Sequence, residues 1–426
     1  MAITPQPIKG GVRWGRETRV RVVGLCGLSF LLMLSYSLAR PATESLFLEA
    51  QGADALPQVW LLVALASLAV VALYNRVLPG RDLAALFGGT SVLSAGLLAL
   101  LLSLASARVP LVETALYVWK DVYMVVLVEI FYSFSNSVFP IAQARWLYGL
   151  FGFIGALGGV LGNLGIGALS LHLGTLTSLW VVLIPLLGMA AGGYFLSRVA
   201  GRRSFADQGR QGLLEAFKGV SKSQYLLLMI FLVAVVQLAV TLIDLQFNSF
   251  VQLAFVDRDE RTSKIAFVYA AISTCTLVLH ALTGPILRFG RVPKTLLLVP
   301  LLILGAGVSF ALAPGLVTIA LLKIASKTFD YTVFRTSKEM LYIPLDDVQR
   351  TQGKSIVDML TYRVAKGGAS LLLLSLAAVR TLELVNGLII GAVLLWTALT
   401  VLIVRQFRAR VSREAEHAAL GRTAVR

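Results

Sequence analysis

Cysteine, histidine and acidic residues are all scarce in this chain of 426 residues, and each shortage removes a class of function. There are two cysteines, Cys26 and Cys275, both inside apolar runs, so no disulfide framework or thiolate metal site is indicated. The three histidines, His172, His280 and His417, are too scattered for a metal site or a nucleophile–base pair. His280 reads more simply as a hydrogen-bonded core residue than as a proton relay. Gly353-Lys354-Ser355 resembles the end of a phosphate-binding loop, but that pattern needs a glycine at 348 and Val348 stands there. The reading is neither an enzyme nor an ATP-driven pump, with no cofactor and no metal. The N-terminus has no small-residue cleavage site after its first apolar run, so it does not read as a cleavable signal.

Charge is short overall but lopsided. Charged residues make up 14% of the chain, where a soluble domain carries about a quarter. The net charge is +16, yet 17 of the 38 Lys and Arg lie before Val22, between Arg198 and Lys222, or after Val404. Basic residues beside apolar spans mark cytoplasmic loops, so no nucleic-acid partner is inferred.

Apolar length is what the chain has in abundance. It is 57% hydrophobic with mean hydropathy +0.82, in blocks of about 20 residues, the length that crosses ~30 Å of hydrocarbon. The class is an all-α, multi-pass membrane protein with the bilayer as its medium. Twelve spans are expected at about 22–38, 57–78, 83–104, 112–134, 148–171, 176–196, 225–251, 265–287, 295–312, 315–334, 357–379 and 384–404. The first continues past a helix-disrupting Pro41. Six spans on either side of a long basic loop is the layout of a two-domain transporter. The expected division is a basic arm (1–21), a six-helix bundle (22–197), a linker (198–224), a second six-helix bundle (225–404) and a basic tail (405–426). Basic and non-basic loops alternate along the chain: Arg76 and Arg81 fall on one side, Glu44, Glu49 and Asp54 on the other. That alternation puts both termini in the cytoplasm.

A charge at the centre of a membrane helix costs roughly 2.5–3.5 kcal/mol, so charges there face a protein interior or a water-filled path. The fourth span carries Lys120 about 12 Å in from Val112, then Asp121 and Glu129. The tenth carries Lys323 at a similar depth, Lys327 one turn on, and Asp330. The first adds Tyr36, Arg40, Thr43 and Glu44; the seventh adds Gln237, Thr241, Asp244, Gln246 and Asn248. Any one of these could be a structural ion pair, for example Lys120 with Glu44 or Lys327 with Asp330. Together, four cations on three spans exceed what interior pairing needs, and a cationic cavity suits an anionic substrate. Asp330 cannot satisfy both lysines of its span. Lys323 is therefore left to a partner on another helix or to a bound anion. The candidate substrate-binding residues are Arg40, Lys120, Lys323, Lys327, Asp244, Asn248 and Asn136. Near the cytoplasmic end, Arg145, Lys338, Glu339, Asp358 and Arg363 are candidates for a gate or inter-bundle contact. In the fifth span Gly158 and Gly162 form a small face, suited to close packing or to sliding of a neighbouring helix.

The stretch KEMLYIPLDD (338–347), followed by GKSIVDMLTYRVAKGGASL (353–371), resembles the ATP/ADP translocases of plastids and obligate intracellular bacteria. LARPATESLFLEAQGADALP (38–57), FSNSVF, QARWLYGLFG and TLIDLQFNSF match that family more loosely. The resemblance implies a major-facilitator-like fold and exchange of nucleotides or related phosphorylated anions. The family's helix 1 Lys-Asp falls at Thr43-Glu44 here, its Glu-Ala-Lys-Arg-Phe-Tyr at Gln143–Tyr148, and its helix 7 Glu-x-x-x-Lys at Asp244 and Asn248. These departures imply a divergent member with altered substrate choice. The expected function is a monomeric secondary transporter, placed in a bacterial inner membrane, exchanging ATP/ADP-like nucleotides or another phosphorylated anion. The alternatives are a proton-coupled porter of another organic anion or drug-like solute, with Glu129 or Asp244 carrying the proton, and a non-transporting sensor. Deep lysines argue against the sensor.

Overall fold

Long apolar runs in which Gly and Pro are confined mostly to ends and contact faces leave the backbone one way to satisfy itself in lipid, which is helix. The computed structural model describes residues 16–77, 80–139, 141–199, 223–290, 292–342, 345, 357 and 362–423, and among these there is no strand. The helices are α1 (Arg16–Gln51), α2 (Leu56–Val77), α3 (Leu83–Ser106), α4 (Val112–Val138) and α5 (Ile141–Leu173). A helical turn, Thr175–Ser178, and a 3₁₀ turn, Leu179–Val182, lead into α6 (Leu183–Val199). The second half holds α7 (Gln224–Ala254), α8 (Arg258–Gly290), α9 (Val292–Leu312), α10 (Leu316–Phe329), α11 (Tyr362–Ser375) and α12 (Leu382–Thr423). After Phe329, α10 widens into a π-helical segment, Asp330–Phe334, and resumes as Arg335–Leu341.

Nine helices among the described residues are long and apolar enough to cross a membrane. The others are α4, α10 and α11. Helix α4 carries Glu113, Lys120, Asp121 and Glu129, α10 stops after 14 residues at Phe329, and the apolar part of α11 runs only over Val364–Ser375. The first helix continues past Pro41, as expected, and α1 passes through it unbroken. The Thr43 hydroxyl donates to the Ala39 and Arg40 carbonyls at 2.9 and 3.1 Å, adding side-chain hydrogen bonds on the turn that the proline weakens. Helix starts elsewhere are capped as sequence chemistry dictates, by Asp82 on α3 and Ser223 on α7.

Two apolar cores form. One gathers α1, α3, α4, α5 and α6 around Leu98, Leu127 and Met189. The other gathers α7 to α12 around Val236, Ile389 and Trp396, and also takes in Phe47, Trp60 and Tyr117 of the first half. In the first core α5 lies directly on α1. A Cβ at Gly158 would come within 2.3 Å of the Phe30 carbonyl oxygen, and one at Gly162 within 2.7 Å of that of Leu34. Neither contact admits even a methyl group, so the small face is a packing surface against backbone.

The end of the molecule holding the α1–α2 turn, called the far end here, is tied across the two halves. Arg261 Nη1 donates to the Ser45 carbonyl at 3.2 Å, and Arg258 pairs with Glu49 at 3.2 Å. Asp259 Oδ1 accepts from the Thr175 amide at 2.7 Å, just past Gly174, whose φ of +80° only glycine adopts freely. Arg380 pairs with Asp54.

Candidate functional site

Below the far-end tie, α1, α4, α7 and α10 turn their polar faces inward. They enclose a cavity of about 200 Å³, to which α2, α8 and α11 add Trp60, Tyr269 and Lys366. The stripe on α7 shows why the local fold does this. Gln237, Thr241, Asp244 and Asn248 recur at intervals of three and four, so one helix face carries all four into the cavity.

The charges form one alternating chain across both halves. Lys120 Nζ lies 3.1 Å from Asp121 and 4.0 Å from Glu44, and 3.7 Å from the centre of the Tyr117 ring. Glu44 also holds the Arg40 guanidinium at 3.0 Å. The Tyr269 hydroxyl, from α8, donates to Glu44 at 2.7 Å and accepts from Lys323 at 3.0 Å, joining the first half to the second. Lys323 then meets Asp244 at 3.4 Å, and Asp244 meets Lys327 at 2.8 Å. Lys120 and Lys323 are at most 1% exposed, so each charge depends on these partners.

Six of the seven candidate substrate residues come together here: Arg40, Lys120, Lys327, Asp244 and Asn248 line the cavity, and Lys323 lies directly behind Asp244. Asn136 does not. It sits exposed near the end of α4, where the Tyr148 hydroxyl donates to it. The expected pairing of Lys327 with Asp330 is also replaced, since Asp244 of α7 holds Lys327. The wide turn starting at Asp330 ends the α-helical register that the three-residue spacing assumed. The same Asp244 settles the open partner of Lys323. Interior pairing is nearly complete, with one cation over. Five cations (Arg40, Lys120, Lys323, Lys327, Lys366) face four carboxylates (Glu44, Asp121, Asp244, Asp330). Lys366 is the one that makes no ion pair within 4.0 Å among the described residues; it lies 5.9 Å from the Trp60 ring centre.

Glu129 does not line the cavity. Of the gate candidates, Lys338 is buried and Glu339 exposed at the end of Arg335–Leu341. Asp358 and the side chains of Arg145 and Arg363 lie outside the described residues, so the gate falls there too. Sequence reasoning missed Tyr269 and Lys366 as site residues. Its position in a span that already holds Asp358 and Arg363 was the available signal for Lys366. For Tyr269 there was none, because a tyrosine in a membrane helix is ordinary.

Residues 312–407 match the family model described as TLC ATP/ADP transporter. Among curated proteins, the chain is 26% identical over 308 residues to ADP,ATP carrier protein 1 of Chlamydia pneumoniae, covering 61% of this chain and 59% of that one. It is 22% identical over 306 residues to ADP,ATP carrier protein 5 of Rickettsia typhi, covering 59% of each. The chain thus spans less than two thirds of the length of these relatives. Among solved structures, the nucleoside transporter NupG superposes with a TM-score of 0.62 at 13% identity, over 92% of this chain and 98% of that one. The POT family transporter PepTSo gives 0.67 at 11%, over 93% and 99%. A bacterial homologue of the iron transporter ferroportin, in an inward-facing state, gives 0.64 at 13%, over 91% and 98%. At such identities the superpositions establish the fold alone. The sequence matches add a likeness to ATP/ADP carriers, strongest in the family-model match over residues 312–407.

Proposed function

We propose that the protein is a secondary transporter that exchanges nucleotides, or a related phosphorylated anion, by alternating access between its two halves. The observation that carries this reading is the charge balance of the cavity. A closed set of ion pairs would need no ligand, but here Lys366 is left over, beside lysines and an arginine already held in place. An anion entering the cavity would take Lys366 first and then compete with Glu44, Asp121 and Asp244 for Arg40, Lys120 and Lys327. Lys323 would act from behind Asp244. The carriers named above as sequence relatives support the nucleotide class, and the fold of the structural neighbours supports alternating access. Both termini are assigned to the cytoplasm of a bacterial inner membrane. Lys338 and Glu339 are assigned to a gate at that side, and a single chain is taken as the working unit.

The test is exchange in proteoliposomes of the purified full chain. Uptake of labelled ATP should require ADP inside the vesicles and should fall at least tenfold in Lys366→Gln. Asp244, set in the cavity wall between two lysines, favours one other reading, a proton-coupled porter of a different organic anion. Uptake driven by a proton gradient into vesicles without nucleotide would support that reading and overturn exchange.

A further inference from the structure

Most of the polar atoms described above are occupied, but the amide nitrogen of Gln237 is not. Gln237 is 5% exposed and lines the cavity, and its Nε2 has no hydrogen-bond partner. An unpaired buried donor is a standing cost to the empty protein. Its place relative to the charges is informative. Gln237 precedes Asp244 by seven residues, two turns on the same face of α7, so it lies about 10 Å from the charged level toward the end where α1 and α7 begin. Thr241, between them, cannot serve the same role with its proton, since its hydroxyl already donates to the Gln237 carbonyl at 2.7 Å.

Two aromatic rings fall on that same side. Tyr36 precedes Arg40 by one turn on α1, which runs in the direction of α7, and its hydroxyl is anchored on Asp121 at 3.3 Å. Tyr331 follows Lys327 by one turn on the oppositely directed α10, inside the widened segment Asp330–Phe334, and is 38% exposed. All three residues line the one cavity.

We infer that Tyr36, Gln237 and Tyr331 form a second subsite, which takes a planar, uncharged, hydrogen-bonding ring while the charged level takes the anion. The inference rests on the anion reading above and adds the other end of the substrate to it. Aromatic faces stack on a planar ring that carries no charge, and the amide supplies a donor to a ring nitrogen or carbonyl. A bare phosphate or pyrophosphate held at Lys327 and Lys366 is too short to reach Gln237. A nucleotide, with its base carried away from its phosphates by a sugar, has the required length.

The experiment compares ADP with inorganic pyrophosphate as competitors of labelled ADP on the detergent-purified full chain. The two share a diphosphate and differ in the nucleoside. Wild-type protein should prefer ADP. Gln237→Leu should weaken ADP roughly tenfold, the loss of one hydrogen bond, and leave pyrophosphate unchanged. Its melting temperature without ligand should stay the same or rise, because no hydrogen bond of the empty protein is removed. Tyr331→Leu, at a partly exposed position, should give the same selective loss. Equal losses for both competitors, or no loss for ADP in either variant, would overturn the subsite. Wild-type protein that binds pyrophosphate as tightly as ADP would also overturn it and leave the anion reading standing. Wild-type protein that binds neither would remove both.

Discussion

Helices α4 and α10 each bring a lysine inward about 12 Å from the end at which they start, but they satisfy it differently. On α4, Lys120 finds its ion-pair partner next door in Asp121 and its ring contact one turn back in Tyr117; only the longer 4.0 Å contact to Glu44 leaves the helix. On α10, Lys323 and Lys327 both reach across to one residue of α7, Asp244. The first helix also stays regular over its 27 residues, whereas the second stops at Phe329 and widens. Self-sufficient charge leaves a helix free to move as a body; shared charge ties two helices through a single carboxylate. The second half should therefore be the half whose packing responds when the cavity charges change.

Three substitutions break or sharpen that contrast. Asp244→Asn should have the largest effect, because it strands two buried ammonium groups. We expect a loss of about 3–5 kcal/mol, read as a large drop in melting temperature in detergent. Adding Lys323→Gln to Asp244→Asn should restore part of it, and strict additivity of the two changes would contradict the shared-carboxylate geometry. Tyr269→Phe comes next, removing the hydroxyl that joins Glu44 to Lys323. Both charges keep a second partner, Arg40 and Asp244, so about 1–3 kcal/mol is expected by denaturation, with exchange slowed more than binding. Asp121→Asn should cost least, about 1 kcal/mol, since Lys120 retains Glu44 and the Tyr117 ring. If Asp121→Asn proved as damaging as Asp244→Asn, the contrast between the two helices would be wrong.

What could be read in the sequence follows the same division. Apolar blocks and their spacing located the helices, since span length depends only on composition along the chain. The depth of Lys120 and Lys323 followed from counting residues. The close approach at Gly158 and Gly162 was also open to reading, because small residues four apart have few other uses in a membrane helix. The partners were less accessible. Local spacing suggested Asp330 for Lys327, whereas the chosen Asp244 lies far away along the chain and on a different helix. Nothing local marks such a contact. The continuation of the first helix past Pro41 was legible too, and around it α1 is packed against α5 and α8. Asn136, named among the substrate residues and lying within the loosely matching FSNSVF, is carried away from the cavity by the end of α4.

The far-end tie has a practical consequence. Its outermost pairs, Arg258 with Glu49 and Arg380 with Asp54, each include a solvent-exposed partner, whereas the cavity charges are buried or half-buried. Bulk salt screens the former far more than the latter, and at 0.15 M screening acts over about 8 Å. A vesicle holding this protein in one orientation should therefore respond to salt asymmetrically. Raising the ionic strength on the far-end face would loosen the latch there, while the same salt on the opposite face would leave it untouched. Sidedness in a reconstituted preparation could then be read from a salt titration, without antibody or protease.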